Sequence, residues 1–259
     1  MRRYIAYHVK IKKYRIMLKE LLKKSVKKDD ENVAVLLSGG IDSCVILNLL
    51  MDENLEIEPY AIKMDDIDSD DYLSFIDIVE HYDFDYTVVK IDSKTNLDEY
   101  KQFLIEHGIN PRLKASLLTM SLFCILIDNI DQDVIYTGLG SDAYFGLGRD
   151  FMIKSKREEK TKVPTLKSMQ EYRIKVYGTY KKQYESAKAY AESKGKTLIA
   201  PFMHDDVYNY FWDKTFEEVN QPGRKRILIN LYPDFFKRFK ARRPSNMQCG
   251  NSNFKQLKV

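Results

Sequence analysis

The sequence predicts an α/β protein: a parallel sheet of about five strands with helices on both faces, followed by a mainly helical C-terminal part. Three observations predict it. Apolar runs at Val33–Leu37, Ile57–Met64, Tyr86–Ile91 and Val134–Thr137 alternate with stretches of helical spacing, as strands joined by crossover helices do. Glycine-rich turns follow the first and fourth runs, on the carboxyl edge of such a sheet where ligands bind near the switch in strand order. From about residue 170 onward the pattern becomes helical.

In chain order, residues 1–30 are rich in Lys and Arg, including Arg2, Arg3, Lys10, Lys12, Lys13, Lys23, Lys24, Lys27 and Lys28. Tyr14, Met17, Leu18, Leu21, Leu22 and Val26 share one helical face, so an amphipathic helix packing on the domain is expected. A nucleic-acid-binding arm is the competing reading, disfavoured because the basic residues flank a stripe that needs burial. Strand one runs straight into Ser38, Gly39 and Gly40, and Cys44–Met51 continues as helix. After the second strand a helix spans Tyr72–Tyr82. After the third, Asn96 with Glu99 reads as a capping box for a helix reaching His107. Pro111 breaks the chain and Leu113–Ile127 reads as a buried helix. Residues 151–169 are charged, with Pro164, and read as a mobile loop that could serve as a lid; Gln170–Lys194 reads as a long helix with one tyrosine-bearing buried face, ended at Gly195. The expected organisation is one domain: a 1–150 nucleotide-binding core, the 151–169 loop and a 170–259 helical part.

Composition bounds the function. The 259 residues are 44% hydrophobic and 31% charged, with a net charge of +4, which suits a soluble globular protein able to bind ATP or an acidic substrate. Cys44, Cys124 and Cys249 lie far apart without metal-ligand spacing and read as free thiols of a reducing cytoplasm. No signal peptide or membrane span is expected.

Ser38-Gly39-Gly40-Ile41-Asp42-Ser43 stands between a strand and a helix. Such a turn leaves backbone N–H groups unpaired at a helix N-terminus, where the dipole favours negative charge, and adjacent glycines let an anion approach closely. The loop has no G-x-x-x-x-G-K-[ST] lysine and no G-x-G-x-x-G, which excludes the kinase-type P-loop and the dinucleotide fingerprint. It resembles the S-G-G-x-D-S signature of the PP-loop ATP pyrophosphatases, which split the α–β bond of ATP.

A second stretch, Thr137-Gly138-Leu139-Gly140-Ser141-Asp142-Ala143-Tyr144-Phe145-Gly146, resembles the T-G-E-G-A-D-E-L-F-G-G segment of the asparagine synthetase C-terminal domain, shared with β-lactam synthetase. Pro201-Phe202-Met203 is similar to the start of its P-F-L-D segment, and Gly223-Arg224-Lys225-Arg226-Ile227-Leu228 to its G-x-K-x-x-L-R helix. Arg243-Pro244 and Gln248-Cys249-Gly250 are similar to the tail of some members. The resemblance implies ATP and Mg²⁺ as cofactors, Asp42 and Asp142 as metal ligands, and Lys225 as the cation that stabilises charge on the α-phosphate and departing pyrophosphate. It implies phosphate binding at Ser38, Gly39, Gly40, Asp42, Ser43, Gly138 and Gly140, and adenine recognition by backbone near Lys63 and Met64. Arg224, Arg226 and Arg243 are further candidates for pyrophosphate contacts, with ordinary surface arginines as the competing reading.

The sequence departs from that pattern at three places: Leu139 stands for the glutamate of G-E-G, Ala143 for the acidic residue after Asp142, and His204 for the aspartate of P-F-L-D, with Asp205 and Asp206 directly after. The ATP half of the site is thus expected to be kept and the substrate half changed. About thirty residues precede the first strand, too few for a glutaminase domain. The leading expectation is an AMP-forming amide ligase that adenylates a small-molecule carboxylate other than aspartate and passes the acyl group to ammonia or an amine, with a separate glutaminase subunit as one source of nitrogen. Competing readings are a PP-loop enzyme adenylating a nucleobase of RNA or DNA, and a nucleotide-binding pseudoenzyme.

Overall fold

A computed structural model describes residues 14–27, 32–64, 68–92, 94–158 and 163–239. The basic residues before Tyr14, Lys28, and the tail carrying Arg243 and Gln248-Cys249-Gly250 lie outside the described residues.

Five parallel strands, β1 (Asn32–Leu36), β2 (Glu56–Met64), β3 (Thr87–Ile91), β4 (Val134–Thr137) and β5 (Thr197–Ile199), form one sheet in the order β3-β2-β1-β4-β5. Alternation along the central strand serves both faces. Val33, Val35 and Leu37 enter one hydrophobic cluster, and Ala34 and Leu36 the other. The first cluster is closed by α2 (Ile41–Asp52), α3 (Asp70–Tyr82) and the later helices α8 (Asp205–Trp212), α9 (Phe216–Asn220), α10 (Arg226–Ile229) and α11 (Pro233–Arg238). The second is closed by α4 (Asp98–Glu106), α5 (Lys114–Asp128) and the distal part of α7 (Leu166–Ser193). The strand order reverses between β1 and β4, where Leu36 lies beside Thr137, so the two glycine turns are neighbours at the switch point.

The N-terminal helix, α1 (14–23), is amphipathic as expected: Leu18 and Leu22 are fully buried. Met17 is instead 49% exposed, because the buried stripe runs through Tyr14, Leu18 and Leu22 and Met17 sits about 100° off it. Its lysines meet the protein's own carboxylates: Lys19 pairs with Asp52 at 2.7 Å and Lys23 with Glu53 at 2.5 Å, and Lys24, just beyond, pairs with Asp206 at 2.6 Å.

Two local expectations need correction. Within the stretch expected as a loop, α6 (Arg149–Glu158) is helical, anchored by Phe151, whose ring lies 4.5 Å from that of Tyr172; α7 begins at Leu166 because Thr165 caps it by accepting from the Ser168 N–H. Asn96 is not a helix cap. Its side chain accepts from the Asp98 N–H at 2.9 Å, and Leu97 holds the cap position of α4, while the capping box occurs at Thr215 and Glu218. Among the described residues no helix is long and apolar enough to cross a membrane.

Candidate active site

The loop after β1 is folded by its own serines. Ser43 Oγ accepts from the Ser38 N–H at 3.2 Å and donates to Gly40 O at 3.2 Å, and Ser38 Oγ accepts from the Gly40 N–H at 3.3 Å. Gly40 is the N-cap of α2 and offers no side-chain cap, so the first-turn N–H groups of a buried helix are left for an anion.

The glycines are needed for different reasons. Gly39 has φ +70°, and a Cβ there would lie 2.5 Å from Ser74 Cβ on α3. A Cβ on Gly138 would lie 2.8 Å from the Asp42 carbonyl carbon and the Ser43 nitrogen, and one on Gly140 (φ +93°) would collide with Met203. Gly138 therefore sets how closely the β4 turn approaches the first turn of α2. Gly40 has an ordinary φ of −73° and its Cβ would meet only Ser38 Oγ at 3.2 Å. Gly39→Ala and Gly138→Ala should each cost about 2 kcal/mol or more in stability, as overpacking does, and Gly40→Ala clearly less. Chemical denaturation of the three variants checks the ranking. A cavity of about 560 Å³ lies behind Gly39, lined by Ser74, Asp77, Ile78, Lys237, Arg238 and Phe239.

The structure brings Asp42, Asp142 and Lys225 together from three distant parts of the chain. Lys225 Nζ donates to Asp42 Oδ2 at 2.6 Å and lies 2.5 Å from Asp142 Oδ1. Ser141 Oγ donates to Asp42 Oδ1 at 2.5 Å. Lys225 is 12% exposed, Asp42 25% and Asp142 45%, so the cluster opens on the Asp142 side. Asp142 sits on the short 3-10 turn Ser141–Tyr144 after β4. Tyr180 of α7 points its hydroxyl at Asp142 Oδ2 from 3.5 Å, and burial, with both aspartates nearby, pushes that phenol well above the ordinary tyrosine value.

Burial raises the Asp42 carboxyl above its ordinary value; the Lys225 charge opposes this and Asp142 reinforces it. Burial alone would lower Lys225, but the two carboxylates outweigh it and hold the ammonium above its ordinary value. The folded protein therefore holds the Asp42 proton more tightly than the unfolded chain. This group's penalty is full above its folded midpoint, is relieved as pH falls through it, and vanishes below the unfolded value of 3.8. In the nucleotide-free protein, a carboxyl ¹³C NMR titration should place the Asp42 midpoint above 3.8. A midpoint at or below that value would mean that Lys225 and Ser141 outweigh burial.

Two buried residues that sequence reasoning missed shape this cluster. Asn220 Nδ2 donates to Phe145 O at 2.9 Å while its Oδ1 accepts from the Lys225 N–H at 3.0 Å, tying the lysine's loop to the turn that bears Asp142. Arg173, fully buried on α7, donates from Nε and Nη2 to Tyr144 O at 3.3 and 3.2 Å and from Nη1 to Trp212 O at 3.1 Å. It thus holds the end of the Asp142 turn.

Other expected site residues are less engaged. Lys63 pairs with Asp68 at 2.7 Å and lies 4.3 Å over the Tyr72 ring. Tyr60 O accepts from the Leu37 N–H, so alternation along β2 aims the backbone groups of Ile62 and Met64 toward the β1 side and those of Lys63 toward β3. Pairing with β1 stops at Tyr60, which leaves Met64, rather than Lys63, with backbone facing the loop. Arg224 is exposed and Arg226 half-buried, with no acidic partner for either among the described residues. His204 caps α8, its Nδ1 accepting from the Asp206 N–H at 3.2 Å. Leu139 packs against the second hydrophobic cluster and Ala143 is fully buried in the first, so both departures from the acidic pattern serve packing.

The donor set fits Mg²⁺. Two carboxylate oxygens converge within 2.6 Å of one point, now taken by the lysine nitrogen, and no group of three or more His, Cys, Asp or Glu among the described residues forms a closed protein cage. A Mg²⁺ ion that takes one or two carboxylates and completes its shell with water and phosphate suits such a site.

A glycine loop at the switch point of a parallel sheet, with aspartates on both adjoining strand ends, is the arrangement of an ATP-using enzyme of the PP-loop class. Within that class the chain belongs to the asparagine synthase family, whose sequence pattern matches residues 17–234. No curated protein sequence matches it. Similar solved structures include the U34-tRNA thiolase NcsA from Methanococcus maripaludis with its 4Fe–4S cluster, 16% identical with a TM-score of 0.42 over 95% of this chain and 78% of that one. NMN synthetase from Francisella tularensis is 15% identical with a TM-score of 0.37 over 80% and 95%. A predicted subunit of tRNA methyltransferase from Methanocaldococcus jannaschii is 15% identical with a TM-score of 0.31 over 67% and 91%.

Proposed function

We propose that the protein is an AMP-forming amide ligase acting on a small carboxylic acid other than aspartate. The observation that carries this reading is Lys225 held between Asp42 and Asp142 at the mouth of the phosphate loop. A carboxylate oxygen of the substrate attacks the α-phosphorus of ATP, the bond to the bridging oxygen breaks, and pyrophosphate departs with that electron pair. The acyl-adenylate is then captured by ammonia or an amine, which displaces AMP. When bound, Mg²⁺ would be held by Asp42 and Asp142 and would neutralise charge on the phosphates. The α2 N-terminus binds the phosphates, and Lys225 donates to the oxygens on which charge grows. Asn220 and Arg173 keep Lys225 and Asp142 in place, so the protein's contribution is positioning and electrostatics.

Leu139 and Ala143 support the exclusion of aspartate, because neither can accept a hydrogen bond from an α-ammonium group. The paired lysines of α1 and the tyrosines of α7 give no support to nucleobase chemistry. Tyr177, Tyr184 and Tyr190 donate to Met203 O, Leu198 O and Asp128, so their hydroxyls serve the fold.

The test is ATP–pyrophosphate exchange with Mg²⁺ across a panel of carboxylic acids, followed by amide formation with ammonia. Exchange that depends on an acid other than aspartate is expected. Saturable turnover with aspartate would sink the substrate assignment, and no exchange with any acid would sink the ligase reading.

A further inference from the structure

We propose that Lys225 is also the built-in counter-cation of the Asp42–Asp142 pair, so that a divalent metal enters only together with a nucleotide that draws the lysine away. This rests on the proposed nucleotide chemistry for the site. The ammonium stands where a metal bridging the two carboxylates would stand, 2.6 Å from Asp42 Oδ2 and 2.5 Å from Asp142 Oδ1. The remaining oxygens are also engaged: Asp42 Oδ1 accepts from Ser141, and Asp142 Oδ2 faces the Tyr180 hydroxyl. A metal needs oxygens at about 2.0–2.1 Å, so it and the ammonium cannot share this place.

The lysine is set there by its backbone. Its N–H is bound by Asn220, and its φ of 52° is a left-handed conformation that non-glycine residues rarely adopt. Its side chain is largely shielded from water, and Nζ lies 5.4 Å from the centre of the Phe145 ring. Leaving both carboxylates without a new anion would strand a poorly hydrated ammonium beside an uncompensated pair. Phosphate oxygens at the α2 N-terminus supply that anion, and the unbranched lysine stem can swing to them while its backbone stays fixed. Lysine and metal thus exchange at one position. The nucleotide-free site is neutralised by its own side chain and discriminates against free divalent cations.

Mn²⁺ is the probe, with its free signal read by electron paramagnetic resonance during titration of nucleotide-free protein. Wild type should bind Mn²⁺ at this site weakly, and Lys225→Met should bind one Mn²⁺ at least about tenfold more tightly. The gain should vanish in Lys225→Met/Asp42→Asn, which separates the pair from adventitious surface sites. With a non-hydrolysable ATP analogue, wild type should bind Mn²⁺ tightly. Lys225→Gln provides a second neutral variant should the methionine fold poorly, and circular dichroism checks both. Neutral variants that bind Mn²⁺ no better than wild type overturn the proposal. Failure of wild type to exchange pyrophosphate with any acid of the panel, alongside tightened metal binding in the neutral variants, would overturn the ligase reading and leave the exchange of lysine for metal standing.

Discussion

Lys225→Ala should reduce ATP–pyrophosphate exchange by about 10³-fold or more while the protein remains folded. The magnitude follows from the proposed role of the ammonium: it is held by Asn220 through its backbone and by two aspartates through its side chain, one of them in the first turn of α2. A preorganised donor removed from the point where charge grows typically costs 10²–10³ in rate, and a full positive charge adds to that. The stability effect should be smaller, because water reaches Asp142, which is 45% exposed, and Asp42, 25% exposed, can take up a proton when the ammonium is gone. Lys225→Arg should restore little, since a planar guanidinium cannot place a compact charge between two carboxylates in this space. Exchange within about tenfold of wild type in the alanine variant would remove Lys225 from the chemistry. Measuring exchange and denaturation on the same samples separates the two effects.

The parts of the molecule that were legible in sequence are those specified locally. The first four strands lie within one residue of their expected bounds at each end, because continuous apolar runs bounded by turns leave little freedom in a sheet buried on both faces. Strand β5 was not foreseen individually, since three residues, Thr197–Ile199, carry no periodicity. Helix α6 was hidden by its charged composition. The loop that carries Asp42 is legible from the strand–turn–helix pattern, whereas the role of Asp42 itself comes through resemblance. Lys225, 183 residues away, was found only through resemblance, because nothing in its own neighbourhood marks one lysine among 42 Lys and Arg. Asn220 gives no local signal, since its role is to join loops distant in sequence. Arg173 does carry a signal in the sequence: Met169, Arg173, Tyr177, Tyr180, Tyr184, Ala187 and Ala191 recur at helical spacing, and a charge within that stripe must be buried or break it. The glycine turns stand out in the sequence, whereas the close approaches of Asp42 to Gly138 and of Met203 to Gly140 are visible only in the fold.

Arg173→Met should destabilise the fold by about 3 kcal/mol, at the scale expected when a buried charged hydrogen-bonding group is removed from its partners. The guanidinium is fully buried, and its contacts in the structure are to main-chain oxygens: two bonds to Tyr144 O and one to Trp212 O. Methionine fills much of the volume but leaves both carbonyls without that donor, each a cost of about 1–3 kcal/mol where water does not enter. Lysine should recover part of the loss, because a single ammonium cannot reproduce the fork that reaches both oxygens. The arginine has its own pH signature. Burial lowers it to about 10, so between that value and the ordinary arginine value the unfolded chain binds the proton more often than the folded one. Stability from this group therefore rises with pH across that interval, while the contribution of Lys225, whose value is raised, is lost as pH climbs through its folded midpoint above 10.5. Urea denaturation of wild type and Arg173→Met from pH 7 to pH 11 should show the difference between them growing above pH 10, as wild type alone sheds the cost of its buried charge. A difference that stays constant would mean that the guanidinium remains protonated throughout. A variant as stable as wild type would mean that the Asp142 turn is held by packing of Tyr144 and Phe145 alone, and Arg173 would lose its place in the site.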